Sequence, residues 1–269
     1  MNKITTGFSD VDASERPDEL VSYLGLLARV TVGLRREGYA LAGLREGQAV
    51  LDVGCGAGEV CVELTGLVGP KGRVAGVDLS ATMIDAARAA AGAAGHAIDL
   101  RVASVYQLPF ADGTFDVVRA ERVLQHLDDP EAALREMMRV TRRGGQVLLV
   151  DPDHGQSSVA LDRPEHRRVF EAARRALLAR ISNPHSGVRL RPMMLRAGLH
   201  DVRQRVQALE VPHAAFGRAF FLDQLLEKSV ADGVITAAEA GDFVAELAAR
   251  EQRGEFFALA IGYSVVGTR

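Results

Sequence analysis

Apolar residues in the first half of the chain alternate between short unbroken runs and longer stretches with helical spacing. Runs such as Val50-Leu51 around a single acid are typical of buried strands, whereas residues 60–67 repeat at helical intervals. The pattern predicts strands at 49–53, 73–78, 98–102, 115–119 and 146–151, with helices at 58–67, 81–94 and 130–140. Strands that alternate with helices in this way imply an α/β fold with a parallel sheet and helices on both faces.

The pattern changes after Asp151. It predicts helices at 164–181, 192–197, 214–226 and 236–250, and strands at 202–211 and 255–268. The helix at 236 has a clear start signal, because Thr236 is followed three residues later by Glu239 in a capping box. Ahead of the first strand, residues 17–36 have the apolar rhythm of a helix, and a second short helix is predicted to reach Leu44.

A glycine turn follows the first strand. Gly54, Gly56 and Gly58 occupy every second position after Asp52, and a helix is predicted directly behind them. Such glycines permit positive φ and close approach of a ligand to the backbone, and the helix start offers free N–H groups. A dinucleotide fingerprint requires its third glycine at position 59, where this chain has glutamate. The turn therefore favours a nucleoside without phosphates and opposes an NAD-dependent dehydrogenase.

A series of motifs in register resembles those of the class I S-adenosylmethionine (SAM)-dependent methyltransferases. Asp52 to Gly58 resembles motif I, and the stretch 73–78 ends in Asp78, an acid placed 20 residues after Gly58. The match continues through 108–110, 115–118, 123–127 and 139–151, and covers roughly residues 45–155. Among its subgroups, the chain is similar to the small-molecule methyltransferases of quinone, sterol and natural-product pathways.

The resemblance implies a Rossmann-like, seven-stranded, mostly parallel sheet that ends in an antiparallel strand pair. The predicted strands 202–211 and 255–268 are expected to supply that pair. Residues 1–44 are expected to form an N-terminal helical cap, and residues 45–269 the SAM-binding domain. Helical insertions near 155–190 and 212–250 are expected to form a lid over the carboxyl ends of the strands, where ligands of open α/β sheets bind.

The resemblance also implies which residues contact SAM, whose product is S-adenosylhomocysteine. Asp78 is expected to accept both ribose hydroxyls, since one carboxylate can do so in bidentate fashion. Ser104 stands where the family has an adenine-reading Asp, so a contact through the backbone N–H of Val105 is expected beside it. The expected cofactor-binding residues are Asp52, Gly54, Gly56, Gly58, Asp78, Leu79, Met83, Ser104, Val105, Arg119 and Glu121.

Several of these assignments have plainer alternatives. The glycines could be ordinary turn residues, Asp52 could bond loop amides instead of anchoring the SAM amino group, and Asp78 could cap its strand end. Met83 could belong to the core. Arg119 and Glu121 could form a surface ion pair instead of facing the methionine part of SAM.

Three residues are candidates for catalysis: His154, His126 and Tyr23. A neutral imidazole is basic enough to take a proton from an acceptor, although His126 could equally be a packed structural histidine. Asp151, Asp153 and His154 could in principle bind a metal. However, metal-dependent catechol methyltransferases need an acid where this chain has Arg119, so no metal is expected.

The composition of the chain limits the kinds of molecule that are expected to bind it. The 269 residues carry a net charge of −3 without a long basic block and contain no Trp, which opposes nucleic-acid binding. No apolar run is long enough to span a membrane, and the two cysteines suit a reduced, cytoplasmic setting better than a disulfide. A small-molecule methyl acceptor is therefore the expected partner, and a homodimer is left open.

The sequence thus supports two hypotheses of different class. The first is a SAM-dependent methyltransferase acting by in-line displacement on a small molecule, with O-, N- and C-methylation all open. The second is a non-catalytic or repurposed SAM-binding protein with a regulatory or other role.

Overall fold

Strands and helices alternate through the described chain much as the apolar pattern predicts. A computed structural model describes Gly25, residues 30–219 and residues 221–269 of the protein. The strands of that part are β1 (Ala49–Val53), β2 (Arg73–Asp78), β3 (Asp99–Val102), β4 (Phe115–Glu121), β5 (Thr141–Val159), β6 (His200–Glu210) and β7 (Ala258–Thr268). The α-helices are α1 (Val32–Ala42), α2 (Glu59–Val68), α3 (Ala81–Ala93), α4 (Pro130–Val140), α5 (Pro164–Arg180), α6 (Ser186–Arg196), α7 (His213–Ala219), α8 (Leu222–Ala231) and α9 (Ala237–Arg253).

The strands form one seven-stranded sheet in the order β3-β2-β1-β4-β5-β7-β6. Neighbouring strands from β3 to β5 are parallel, whereas β7 runs antiparallel to both β5 and β6. This confirms the expected fold class, including the antiparallel pair at the C-terminal end of the chain. The order reverses between β1 and β4, so a crevice opens there at the carboxyl ends of the strands.

Helices cover both faces of the sheet because its buried strands are apolar on both sides. In β1, Val50 faces the core under α1, α2 and α3, while Leu51 faces the opposite core under α4 and α6. Successive side chains of a strand point to opposite faces, so one short strand supplies both cores. The sheet is thereby held rigidly from two sides, and its carboxyl edge is a fixed platform for a site.

A third apolar cluster lies apart from the sheet cores. It is built from α5, α7, α8 and α9, with Phe170, Phe216 and Phe243 among its buried members. This cluster occupies the insertions for which a lid is expected, and the lid role stays a prediction. The capping box at Thr236 and Glu239 is confirmed as the start of α9.

Several element boundaries differ from the prediction, most of all in β5, which runs over Thr141–Val159 instead of 146–151. Helix α6 begins at Ser186, and Pro192 lies inside it, although a proline inside a helix costs about 3 kcal/mol. Packing outweighs that cost: a Cβ at Gly187 would come within 2.5 Å of the Tyr263 ring, so this first turn lies tightly on β7. The predicted helix 214–226 is instead two helices, because Phe221 between them adopts a left-handed φ of 53°. Finally, the predicted break near residue 36 is absent, since α1 runs through it.

Candidate functional site

The glycine turn has the conformation that its sequence predicts. Gly54, Gly56 and Gly58 have φ values of 71°, 52° and 85°, a region that side chains with a Cβ avoid. Space is restricted as well: a Cβ on Gly54 would lie 2.3 Å from a methyl carbon of Val123, and one on Gly58 would lie 2.7 Å from the Cβ of Ala87. The turn therefore needs glycine at both positions for steric as well as torsional reasons.

A cavity of about 240 Å³ opens above this turn, at the carboxyl ends of β1, β2 and β4. We refer to it as the cofactor cavity. Its walls include every predicted cofactor-binding residue except Gly58: Asp52, Gly54, Gly56, Asp78, Leu79, Met83, Ser104, Val105, Arg119 and Glu121. Gly58 instead faces α3 behind the turn, so its contribution is to let α2 and α3 pack closely. The structure thus gathers residues from four separate strand ends into one concave surface.

Asp78 is held in a fixed orientation at the end of β2. One carboxylate oxygen accepts the N–H of Gly56 at 2.9 Å and the other accepts the N–H of Ser80 at 3.0 Å. The second bond is the strand-end cap that was the alternative for this residue, and it coexists with a place in the cavity wall. A carboxylate oxygen has two lone pairs, so this geometry is compatible with further bonds from ribose hydroxyls.

The neighbouring wall is mostly apolar. Leu79 is 65% exposed at the mouth of the cavity, while Met83 is 1% exposed and belongs to both the core and the cavity wall. The Ser104 hydroxyl accepts the N–H of Tyr106 at 3.2 Å. A flat, uncharged ring fits such a wall better than a phosphate does, in keeping with the prediction of a nucleoside.

A buried ionic network forms the floor of the cavity. Arg119 is 1% exposed and donates to Asp52 at 2.7 Å and to Glu121 at 2.5 Å. Arg35 of α1 contacts Glu121 from the other side at 3.3 Å and Glu63 at 2.9 Å. Arg119 and Glu121 thus form the ion pair of the plainer alternative, but with side-chain exposures of 1% and 9% it does not lie at the surface.

The network fixes the charges of its members. Burial would raise the pKa of Glu121, but Arg119 and Arg35 hold it below its usual value. Burial likewise opposes the charge of Arg119, yet Asp52, Tyr39 and Glu121 together raise its pKa. The pKa of Asp52 is raised by burial, against the lowering effect of Arg119. The floor thus offers fixed, preoriented charge at the carboxyl ends of β1 and β4.

The two candidate histidines are linked through one side chain. The Nε2 of His154 lies 2.7 Å from the amide oxygen of Gln125, whose nitrogen lies 3.0 Å from Nε2 of His126. Burial, followed by the nearby Arg122 guanidinium, lowers the pKa of His126 to about 4 and that of His154 to about 3. Both imidazoles are therefore neutral near pH 7 and are weak proton acceptors.

The structure separates the three residues expected to be catalytic. His126 lines the cofactor cavity, whereas His154 lines a second, smaller cavity beside it. Tyr23 lies outside the described residues. The catalytic role of each stays a prediction.

The second cavity has a volume of about 50 Å³ and shares Thr31, Glu121 and Arg122 with the cofactor cavity. We refer to it as the side cavity. Arg122, at this junction, has a φ of 60°, a strained conformation for a residue with a side chain and one that clusters at functional sites. Asp151 lines the side cavity with 1% of its surface exposed.

Sequence reasoning missed two parts of this site. The sequence suggests Asp151 only as a possible metal ligand and gives no sign of Arg35. The signal for Asp151 is its position, because it directly follows the apolar run 147–150. Within the described residues, no group of three or more His, Cys, Asp or Glu side chains is arranged to hold a metal ion.

Comparison with known proteins agrees with the geometry. The family described as a methyltransferase domain matches residues 51–149. An uncharacterized 37.1 kDa protein in transposon TN4556 of Streptomyces fradiae is 33% identical over 258 residues, which cover 93% of this chain and 71% of that protein. The ubiquinone/menaquinone biosynthesis C-methyltransferase UbiE of Hahella chejuensis is 37% identical over 112 residues, or 41% of this chain and 45% of that enzyme. The crystal structure of the YcgJ protein from Bacillus subtilis has the same fold, with a TM-score of 0.58 at 21% identity over 89% of this chain and 97% of that one.

The chain belongs to the class I SAM-dependent methyltransferases, as the sheet order, the glycine turn and these relatives together show. SAM is its cofactor. None of the helices in the described ranges combines the length and apolar character needed to cross a bilayer.

Proposed function

We propose that the protein transfers the SAM methyl group by in-line displacement to a secondary metabolite or quinone-like acceptor. The observation that carries this proposal is the junction of two cavities at Thr31, Glu121 and Arg122. A donor in the cofactor cavity and an acceptor in the side cavity would meet there. The name of the quinone C-methyltransferase relative supports the acceptor class. The two unpaired, buried cysteines accord with a reduced, cytoplasmic setting.

Each wall of the cofactor cavity has a proposed role. Asp78 accepts the ribose hydroxyls, and Leu79 and Met83 flank the adenine, with Ser104 and the N–H of Val105 at its polar edge. The glycine turn gives the backbone close access to the nucleoside. Glu121, Arg119 and Asp52 face the amino acid part of the cofactor, with Asp52 nearest its amino group.

Bound SAM supplies a methyl group already activated by a positively charged sulfur. The protein then has to align the acceptor with that methyl group and exclude water, which lowers the barrier through proximity and orientation. The buried network of Arg119 suits this task because its fixed charges need no rearrangement during the reaction. His126 and His154, neutral and bonded through Gln125, are better suited to orienting an acceptor than to removing a proton.

Calorimetric titration with SAM tests the donor half of this proposal. Asp78→Ala is expected to weaken SAM binding about 10- to 100-fold, since hydrogen bonds to a charged group contribute about 1.5–3 kcal/mol. Asp99→Ala is the matched control, because Asp99 lines neither cavity and pairs with Arg101 at the surface. An unchanged affinity in Asp78→Ala would contradict the ribose assignment.

Transfer of a labelled methyl group from SAM to a panel of small phenols, quinols and amines tests the acceptor half. Product in any arm supports the methyltransferase proposal and identifies the methylated atom. Tight SAM binding without transfer to any acceptor would favour the repurposed SAM-binding protein instead.

A further inference from the structure

Asp151 is the least satisfied polar side chain facing the side cavity. It ends the apolar part of β5, opposite Tyr263 of β7, and is almost fully buried. Its Oδ2 atom accepts the N–H of Gln125 at 3.1 Å and the hydroxyl of Ser186. Its Oδ1 atom has no hydrogen-bond partner among the described residues. Since buried polar atoms are almost always paired, an unpaired oxygen on a residue that lines a cavity points to a ligand.

The other walls of the side cavity define what this ligand looks like. Leu34, Leu209, Val211 and Ala260 contribute apolar surface from α1, β6 and β7 and the segment after β6. A cavity of about 50 Å³ accepts a compact group rather than a whole polycycle. The ligand end that fits is therefore small and apolar, with one hydrogen-bond donor directed at Asp151.

Asp151 is also better placed to take a proton than its charged neighbours. The groups facing it are Glu121 and Arg122 from the end of β4, His126 beyond them, Asp153 and His154 further along β5, and His185 ahead of α6. Burial raises the pKa of Asp151 to about 7, against the lowering effect of the Ser186 hydroxyl and Arg122. A base is most effective when its pKa lies near the working pH, whereas burial lowers the pKa of the His126 and His154 imidazoles far below it.

We propose that the side cavity receives the methyl-accepting end of the substrate, a compact group with an O–H or N–H, and that Asp151 Oδ1 binds this hydrogen and removes it as a proton. The inference rests on the methyl transfer proposed above. It names a substrate class, hydroxyl or amine acceptors, and adds a catalytic residue.

The chemical step is balanced. A lone pair on the acceptor oxygen or nitrogen forms the new bond to the methyl carbon, and the electrons of the carbon–sulfur bond pass to the sulfur, which becomes a neutral thioether. The proton of the acceptor O–H or N–H moves to Oδ1 of Asp151. Release of that proton to solvent restores the carboxylate for the next turnover.

The pairing of Asp151 makes the substitution Asp151→Asn informative. The Gln125 N–H is a fixed donor to one oxygen, so the amide oxygen of the asparagine takes that position. The NH₂ group then takes the place of Oδ1, which converts an acceptor of hydrogen bonds into a donor. The variant keeps the shape of the wall and removes only its ability to accept.

Phenol and toluene are suitable probes because they differ only in a hydroxyl and a methyl group of similar size. We would measure their dissociation constants by NMR titration of the full chain saturated with S-adenosylhomocysteine, at about pH 8, where Asp151 is ionised. Phenol is expected to bind more tightly than toluene, and this preference should be at least about 10-fold larger in the wild type than in Asp151→Asn. Asp99→Asn is the control for loss of a carboxylate: Asp99 pairs with Arg101 at the surface and lies outside the side cavity, so the ratio should persist.

An equal ratio in wild type and Asp151→Asn overturns the inference. If that variant does not fold, the wild type still decides: the side-chain carboxyl ¹³C resonance that titrates near pH 7 should shift on adding phenol and not on adding toluene. If this carboxyl resonance does not respond to phenol, the inference is likewise overturned. The SAM affinity of the wild type, measured first, distinguishes failure of the proposed function from failure of this inference. Absence of SAM binding refutes the proposed function. Intact SAM binding without a preference for phenol refutes only the role of Asp151.

Discussion

Arg119→Met is expected to destabilise the fold strongly, although the new side chain has a similar length and no charge to bury. The guanidinium is the shared partner of Asp52 and Glu121, and all three side chains are buried. After the substitution, Glu121 retains Arg35 and the Thr31 hydroxyl. Among the described residues, Asp52 then retains a weak contact of 3.7 Å to the thiol of Cys61, and its buried carboxylate loses the counter-ion that Arg119 supplies.

Removing one partner of a buried ion pair costs about 3–5 kcal/mol, because the remaining charge stays buried without compensation. That is a large share of the roughly 5–15 kcal/mol by which domains are stable. The loss should depend on pH. Arg119 and Arg35 keep the pKa of Glu121 low despite its burial, so the contribution of Glu121 is present above its unfolded pKa and disappears as pH falls. The deficit of Arg119→Met is therefore largest near neutral pH and shrinks in acid.

Urea unfolding at two pH values measures this deficit. Arg196→Met is the control, because Arg196 pairs with Glu131 at a similar distance of 3.0 Å but at the surface, where a pair contributes about 0–1 kcal/mol. Adding Asp52→Asn to Arg119→Met should recover part of the loss by removing the stranded carboxylate. A loss no larger than that of Arg196→Met, or no recovery in the double variant, would refute the reasoning.

Two further predictions concern stability. Gly58→Ala is expected to lower the free energy of unfolding in urea by about 2–4 kcal/mol, because Gly58 has a left-handed φ and a Cβ there would clash with Ala87. Gly92→Ala is the control: Gly92 has open space in α3, so alanine should stabilise the fold by about 0.5–1 kcal/mol. Equal effects of the two substitutions would contradict this prediction. Burial raises the pKa of Asp151 in the folded state from 3.8 to about 7. The protonated carboxyl therefore contributes to the stability of the fold fully below pH 3.8, and this contribution is lost as the pH rises through about 7. The loss amounts to about 1.36 kcal/mol per pH unit, or about 4 kcal/mol in all. Asp151→Asn should flatten this part of the pH–stability curve, and a curve parallel to that of the wild type would show that the carboxyl is not responsible.

The cofactor side of the site was predictable because its signals are local. The glycine turn and Asp78 each lie at a strand end, and their separation follows from one strand-helix-strand unit. The alternation of strands and helices and the capping box at Thr236, both confirmed, have the same origin, in patterns of a few residues. Periodicity and turn chemistry act over such distances, so sequence alone reveals them.

The floor of the cavity was not predictable, because its contacts depend on strand register and on long-range packing. Asp52 and Arg119 are direct neighbours in the register of β1 and β4, and Arg35 reaches Glu121 across 86 positions of sequence. No short pattern encodes either meeting. The early start of α6 is similar, since the fit of Gly187 against Tyr263 outweighs the local effect of Pro192.

The extension of β5 and the start of β7 have a consequence for how such a protein changes over time. Beyond Asp153 these two strands pair again at Ser158 and Val159, and there they lead into the helices of the third cluster. In the described part of the chain, that cluster shares no buried residue with either sheet core. Substitutions among its helices therefore leave the glycine turn and the Arg119 network in place. Evolution can therefore vary this cluster as an exchangeable part, while the glycine turn and the Arg119 network stay constant.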